Sequence, residues 1–242
     1  MKPLIEKIVN RMLSKSAYNY LQEFKNCYLG GYRNVSYSQE GEDLILQRIF
    51  ERQTKGFYID IGAHHPFRFS NTYVFYKRGW IGLNIDAMPG SMKPFDKFRA
   101  KDINIEAAVS DIEKTLVFYM FNDPALNGFS RQTSVLRNKI EYKVIKTTEI
   151  KTKRLENILD YYIDRDQIID FMSIDVEGLD LNVLKSNNWG KYRPKIVLVE
   201  MLDSDIDDLS NNEIPKFMLI NDYTIFAKTL NTVFFRDRRC VF

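Results

Sequence analysis

Residues 56–66 read Gly56-Phe57-Tyr58-Ile59-Asp60-Ile61-Gly62-Ala63-His64-His65-Pro66, an apolar run that stops in a carboxylate, a glycine and the only two histidines of the chain. Such a run reads as a buried strand feeding a turn that can hold a ligand. One unit later, Ile81-Gly82-Leu83-Asn84-Ile85-Asp86 is a second short apolar run that also ends in an aspartate. A helix fits between them, giving a βαβ unit. Two strands ending in carboxylates around a helix point to a nucleoside site at the carboxyl edge of a parallel sheet.

Working outward, Ser38 predicts the N-cap of a helix through Phe50, with Leu44, Ile45 and Ile49 on its buried face. Ser70 predicts the cap of a second helix, Asn71 to Arg78, which Gly79 ends before a strand from Trp80 to Ile85. Ile103 to Val109 and Leu116 to Phe121 read as the next two strands, followed by the turn-rich stretch Asn122 to Gly128. After a helix from Arg154 to Tyr162, a second βαβ pattern runs through the strand Ile168 to Ile174, the helix Leu179 to Ser186 and the strand Lys195 to Met201. A helix near Ile214 to Ile220 precedes two runs, Tyr223 to Lys228 and Val233 to Arg236, joined at Leu230-Asn231 as an antiparallel hairpin. The expected fold is α/β, a mostly parallel sheet with helices on both faces and a C-terminal antiparallel hairpin. It occupies residues 37–242 as one domain, behind an N-terminal helical extension at 1–36.

Lys and Arg number 35 against 32 Asp and Glu, for a net charge of +3. The basic residues are scattered rather than gathered into a stripe, which argues against nucleic acid as a partner. Cys27 and Cys240 stand alone without Cys-x-x-Cys spacing, and no signal peptide precedes them, so a cytoplasmic location is expected. No apolar run approaches the roughly 20 residues of a transmembrane segment. Leu4, Ile5, Ile8, Val9, Met12 and Leu13 form a helical stripe flanked by Lys2, Lys7, Arg11 and Lys15. That face can pack on its own domain, on a second copy in a homo-oligomer, or on a membrane surface.

In a parallel sheet the carboxyl ends of the strands share one edge, so Asp60, Asp86, Asp175 and Glu200 are expected along one crevice. Asp86 is placed to accept both hydroxyls of a ribose, and Gly62 to let the backbone approach the ligand. Where a dinucleotide fingerprint demands further glycines the chain has His64 and Phe67, which disfavours a pyrophosphate and favours S-adenosylmethionine. In Ile174-Asp175-Val176-Glu177-Gly178 the two carboxylates lie two apart and converge if the strand persists. With Glu200 they form a candidate Mg²⁺ or Mn²⁺ site, the alternative being a set that orients cofactor or acceptor by hydrogen bonds. His65 is a candidate general base, against a packing role. Arg68, Asn71 and Arg131 are candidate substrate contacts on the flanking loops.

Taken together, Ser38-Gln39-Glu40-Gly41-Glu42-Asp43, Tyr58-Ile59-Asp60-Ile61-Gly62-Ala63, Asn84-Ile85-Asp86, Glu106-Ala107-Ala108-Val109-Ser110 and Ile174-Asp175-Val176-Glu177-Gly178 make the chain resemble the FkbM family of methyltransferases, over about Tyr37 to Met201. The resemblance implies a class I, Rossmann-like methyltransferase domain using S-adenosylmethionine. It also implies O-methylation of a hydroxyl, often on a sugar. On that reading Asp60, Gly62, Ala63, Asp86, Ala108 and Val109 bind the cofactor, while Asp175 and Glu177 face the methyl group and serve catalysis. Beside these motifs, Gln39 and His64 are expected to add cofactor contacts and His65 to serve catalysis. The expected acceptor is a sugar or nucleotide-linked sugar for surface polysaccharide synthesis. The competing expectations are an NAD-dependent nucleotide-sugar oxidoreductase and a non-catalytic cofactor-binding adaptor. His64-His65-Pro66 departs from the family pattern, in which Ala-Asn and a glycine-containing turn are common.

Overall fold

The computed structural model describes residues 14–129, 142–202, 204–207 and 209–240. The chain divides into two compact units, Met1–Val35 and Ser36–Phe242. In the first, helix α1 (Lys15–Tyr28) starts where the Ser14 hydroxyl accepts the Ala17 N–H, and none of its residues is buried. Residues 1–13, which carry the expected N-terminal stripe, lie outside the described residues.

The second unit begins with α2 (Glu42–Ile49), followed by β1 (Phe57–Ile61), α3 (Tyr73–Lys77), β2 (Ile81–Asp86), α4 (Met92–Phe98) and β3 (Ile103–Glu106). Short β4 (Ala108–Val109), β5 (Thr115–Phe121) and β6 (Val144–Lys153) come next, then α5 (Leu155–Tyr162), β7 (Phe171–Ile174), α6 (Asp180–Ser186) and β8 (Ile196–Glu200). Helix α7 (Glu213–Ile220) and the hairpin β9 (Tyr223–Lys228) and β10 (Thr232–Asp237) close the chain. Seven strands form one sheet in the order β3-β2-β1-β7-β8-β10-β9. All its pairings are parallel except those of β10, which runs antiparallel to both neighbours.

The chain fills the sheet outward from β1 to β3 and returns to β7 beside β1, which makes the β1/β7 boundary the topological switch point where α/β sheets hold ligands. Because alternate residues face opposite ways, Ile59 and Ile61 pack with Leu83, Met172 and Val197 on one face, while Tyr58 joins Phe50, Phe75, Trp80 and Phe171 on the other. Full burial of one such aliphatic side chain is worth about 1.5–3 kcal/mol. These two layers give the switch point a rigid floor.

Several expectations shift in detail. Helix α2 begins at Glu42, after Gly41 in the left-handed region, because Ser38 Oγ lies a turn earlier and accepts the N–H of Gly41 and Asp43. Its most buried face carries Glu42, Asp43 and Leu46, with Ile45 and Ile49 packed partly against the core. Helix α3 starts at Tyr73, whose N–H donates to Ser70 Oγ. The expected strand Ile103 to Val109 breaks at Ala107, whose N–H makes the last bond to β2 at the Asp86 carbonyl. Ala108 and Val109 then leave that edge and pair with β6. Strand β6, which the hydrophobic pattern does not announce, also pairs with β5 in a second, three-stranded sheet, β4-β6-β5. Among the described residues no helix is long and apolar enough to cross a membrane.

Candidate active site

A cavity of about 340 Å³ opens at the carboxyl edge of the large sheet, at the switch point. Gly62, His64 and Arg68 line it from the loop after β1, and Asp86, Ala87 and Met88 from the end of β2. Asp175, Val176 and Glu177 come from the end of β7, and Glu200 and Leu202 from the end of β8. Residues 123–129 form a facing wall, and Gln39 and Asn231 complete the rim.

The β1 loop is built around Gly62, which sits at φ +84° and donates its N–H to the Ile85 carbonyl. A Cβ there would lie 1.6 Å from the Asp175 carbonyl oxygen, so the glycine is required by the close approach of β7 as well as by its backbone angle. His64 follows at φ 52°, a left-handed conformation that a non-glycine residue adopts at a cost. Its N–H donates to Asp86 Oδ2 at 2.9 Å, while the Met88 N–H donates to Oδ1 at 2.8 Å. Two backbone donors therefore hold the Asp86 carboxylate on the cavity wall. Burial pushes its pKa up, and those N–H groups pull the other way.

His65 is not among the residues that line the cavity. Its Nδ1 accepts the N–H groups of Phe67 and Arg68 at 3.1 and 3.0 Å, so the ring stitches its own loop and carries its hydrogen on Nε2. Burial and then Arg68 hold its pKa below the ordinary histidine value. Of the two histidines it is His64 that lines the cavity, with a pKa lowered first by burial. Asp60 does not join the rim. It is 6 % exposed and accepts the Thr72 hydroxyl at 2.8 Å, because strand alternation turns it to the opposite side from Ile59 and Ile61. Burial raises its pKa to about 6.

Ala63 packs in a small buried group with Met92 and Phe95, and Ala108 is buried too; their neighbours Gly62, Ala107 and Val109 line the cavity instead. Asn71 Nδ2 donates to Ser173 Oγ at 3.0 Å and is likewise off the wall. Arg68 is on it, stacked over Phe69 and 4.0 Å from Asp123. Arg131 lies outside the described residues.

Asp175, Glu177 and Glu200 converge, each offering a carboxylate oxygen within 4.8 Å of the others. The cause differs from strand alternation: β7 ends at Ile174, and a turn with Glu177 at φ 55° and Gly178 at φ 102° brings the second carboxylate round. Asp180 fastens that turn by accepting the N–H groups of Val176 and Gly178, each at 3.1 Å. Asp180 is buried, which raises its pKa to about 6, and nothing in the sequence pattern marks it beyond its place three residues past Glu177. Asp175 Oδ1 is buried without a hydrogen-bond partner, and burial followed by the charges of Glu200 and Glu177 pushes its pKa well above the usual carboxylate range. A wall of this kind attracts a cation, shares a proton, or accepts from hydroxyls. The oxygen-only donor set and the orphaned Oδ1 fit a hard divalent ion.

The facing wall is also fixed by backbone bonding. Asn127 Oδ1 accepts the Phe121 N–H and its Nδ2 reaches Met88 Sδ, while Gly128 pairs with Tyr119. Asn127, Met88, Ala107 and Asn231 were not singled out by sequence reasoning. The turn residues of 122–128 and of 229–232 are the signals that could have found two of these.

A sequence model described as the methyltransferase FkbM domain matches residues 60–225. Among solved structures, the chain is similar to the 1,6-didemethyltoxoflavin-N1-methyltransferase of Burkholderia thailandensis, with bound 1,6-didemethyltoxoflavin and S-adenosylhomocysteine. The identity is 10%, covering 93% of this chain and 91% of that one, with a TM-score of 0.42. It is also similar to a TehB-like SAM-dependent methyltransferase from Corynebacterium glutamicum (10% identity, 92% and 98% covered, TM-score 0.39). A third is the precorrin-6y C5,15-methyltransferase from Geobacter metallireducens (11%, 80% and 84%, 0.40). No curated protein matches the chain.

Proposed function

The chain belongs to the methyltransferase FkbM domain family, and from that premise we propose that this S-adenosylmethionine-dependent methyltransferase methylates a sugar hydroxyl, on a nucleotide-linked sugar or glycan precursor for surface polysaccharide. The observation that carries the reading is the convergence of Asp175, Glu177 and Glu200 on the wall that also holds Asp86. Asp86 takes the ribose hydroxyls, and Gly62, His64, Val109 and Gln39 enclose the rest of the cofactor. The sulfonium is cationic, and the carboxylates around it favour its binding.

In the reaction the acceptor oxygen attacks the methyl carbon in line with the sulfur. A C–O bond forms, the C–S bond breaks and its electron pair stays on sulfur. The hydroxyl proton passes to a carboxylate, for which Asp175 is the best placed group, because its raised pKa makes it a stronger base than an exposed aspartate. His65 is set aside as the base, since its Nδ1 is engaged with backbone N–H groups. Asp175, Glu177 and Glu200 would hold Mg²⁺ or Mn²⁺; with such an ion bound Asp175 would act as a ligand rather than as the base, and the ion would instead lower the pKa of a hydroxyl bound to it. Holding oxygen and methyl carbon in line while excluding water supplies most of the acceleration.

The test is methyl transfer from labelled S-adenosylmethionine to a panel of free and nucleotide-linked sugars, with and without EDTA, alongside titration with NAD. Transfer to a sugar hydroxyl is expected. NAD binding without S-adenosylmethionine binding would favour the oxidoreductase, and cofactor binding with no turnover on any acceptor the adaptor. Activity untouched by EDTA would remove the metal. The division of the chain into a 1–36 extension and a 37–242 catalytic domain is part of the same proposal, and a 37–242 fragment that binds S-adenosylhomocysteine as the full chain does supports it.

A further inference from the structure

The hairpin turn between β9 and β10 reaches the cavity rim through Asn231, and the segment before α2 holds it there. Glu40 Oε2 accepts the backbone N–H of Asn231 at 2.7 Å, and Glu40 Oε1 accepts from Asn231 Nδ2 at 2.5 Å. Glu42 Oε1 accepts the hydroxyls of Thr232 and Thr229 at 3.2 and 3.4 Å. On the other side the Asn231 carbonyl accepts the Met201 N–H at 2.7 Å, next to Glu200.

A carboxylate only accepts hydrogen bonds, so Glu40 permits a single orientation of the Asn231 amide: nitrogen toward Glu40, oxygen away from it. We propose that Glu40 is a positioning residue that makes Asn231 present its oxygen to the acceptor, so that the acceptor carries a hydrogen-bond donor, a hydroxyl or ammonium, beside the oxygen that is methylated. This deepens the sugar O-methylation reading and rests on it. An acceptor with a carboxylate or carbonyl at that place meets an oxygen and is rejected, which is specificity by mismatch of donors and acceptors.

Glu40→Gln tests the orientation directly. The backbone N–H of Asn231 requires the amide oxygen of the new side chain, which leaves its NH₂ facing the Asn231 side chain. Asn231 must then turn over and offer nitrogen to the cavity. The same unit of charge is removed far from this contact by Glu149→Gln, on exposed β6 surface, as a control. The probes are methyl glucopyranoside, methyl glucosaminide and methyl glucuronide, titrated by saturation-transfer NMR against the full-length protein saturated with S-adenosylhomocysteine.

Wild type is expected to bind the glucopyranoside and glucosaminide at least about tenfold more tightly than the glucuronide. Glu40→Gln is expected to narrow that ratio at least about tenfold, with melting temperature and S-adenosylhomocysteine affinity retained, while Glu149→Gln leaves it unchanged. Equal or tighter glucuronide binding by wild type, an unchanged ratio in Glu40→Gln, or no binding of any of the three overturns the proposal. Methyl transfer to a uronic acid would sink this inference and leave sugar O-methylation standing. Transfer only to a non-sugar acceptor would sink both.

Discussion

Gly62 and Asp86 make the cofactor end of the cavity sensitive to single atoms. A methyl group added at Gly62 would overlap the Asp175 carbonyl, and the residue would still have to adopt φ +84°. Gly62→Ala is therefore expected to lose about 3 kcal/mol of stability and most cofactor affinity together, seen as a lower melting temperature and a weaker calorimetric S-adenosylhomocysteine isotherm. Asp86→Asn behaves differently. It keeps one oxygen, so one of the His64 and Met88 N–H groups loses its acceptor and the ribose loses half of its partner. Cofactor affinity should fall by about tenfold to a hundredfold, roughly 1.4–2.8 kcal/mol, with the fold intact. At His64 what the loop uses is a left-handed backbone and an N–H donor, both of which glycine supplies. His64→Gly should therefore keep the loop and gain up to about 1 kcal/mol from relief of strain, while cofactor affinity falls by about threefold or more as the ring that helps enclose the cofactor is removed; an unchanged affinity would confine His64 to shaping the loop.

At the scale of elements, the two loops that carry the chemistry are held by titrating acceptors with opposite signs. His65 binds backbone donors through an unprotonated Nδ1, and its folded pKa is lowered below 6.5. Its contribution is complete above pH 6.5 and is lost as pH falls through the lowered folded value. His65→Ala should thus flatten the fall in melting temperature between pH 7 and pH 5, and the difference between variant and wild type isolates the loop from the carboxylates. Asp180→Ala removes both acceptors from the 175–178 turn, a cost of about 1–3 kcal/mol for each donor left unsatisfied, and should lower turnover more than cofactor affinity, as single-turnover rates against binding isotherms would show. The same elements show what could be read beforehand. β1, β2, β8 and the closing hairpin are apolar runs bounded by turn residues, and their positions follow from that pattern almost residue for residue. β6 escapes it because Lys146, Glu149 and Lys151 alternate with Thr and Ile along a mostly exposed strand, where β-branched content was the only signal. The convergence of Asp175 and Glu177 was legible but its cause was not, since a left-handed glutamate leaves no mark in the sequence.

Behind the site the whole sheet rests on a buried charge network that composition gives no reason to expect, because arginine is ordinarily a surface residue. Arg99 is fully buried and donates to Asp102 at 2.9 Å, to Thr72 Oγ1 at 2.9 Å and to the Tyr58 hydroxyl at 2.7 Å. Asp102 also accepts from Tyr58, Asn84 and the Gly82 N–H, tying α4 to β1 and β2, and Thr72 passes the network on to Asp60. Arg99→Met leaves Asp60 and Asp102 without their cation and should cost about 3–5 kcal/mol, a loss visible as a drop in melting temperature across the whole domain. Asp60 itself is the member whose charge works against folding. Its pKa rises from 3.8 to about 6 because burial outweighs the Arg99 and Thr72 contacts, so folding at pH 7, where the group is ionised, is about 3 kcal/mol less favourable than at a pH low enough to protonate it in both states. A raised folded pKa gives its full stabilisation below pH 3.8 and loses it as pH rises through about 6. Asp60→Asn keeps an oxygen for the Thr72 hydroxyl and removes that burden, while Arg99 retains Asp102. The variant should therefore melt at the same temperature as wild type near pH 4 and progressively higher toward pH 7.5, by an amount equivalent to about 1–3 kcal/mol once the weakened attraction to Arg99 is allowed for. Equal melting at all pH values would mean that Arg99 compensates the Asp60 charge fully, and lower melting at pH 7.5 that the charge stabilises the fold.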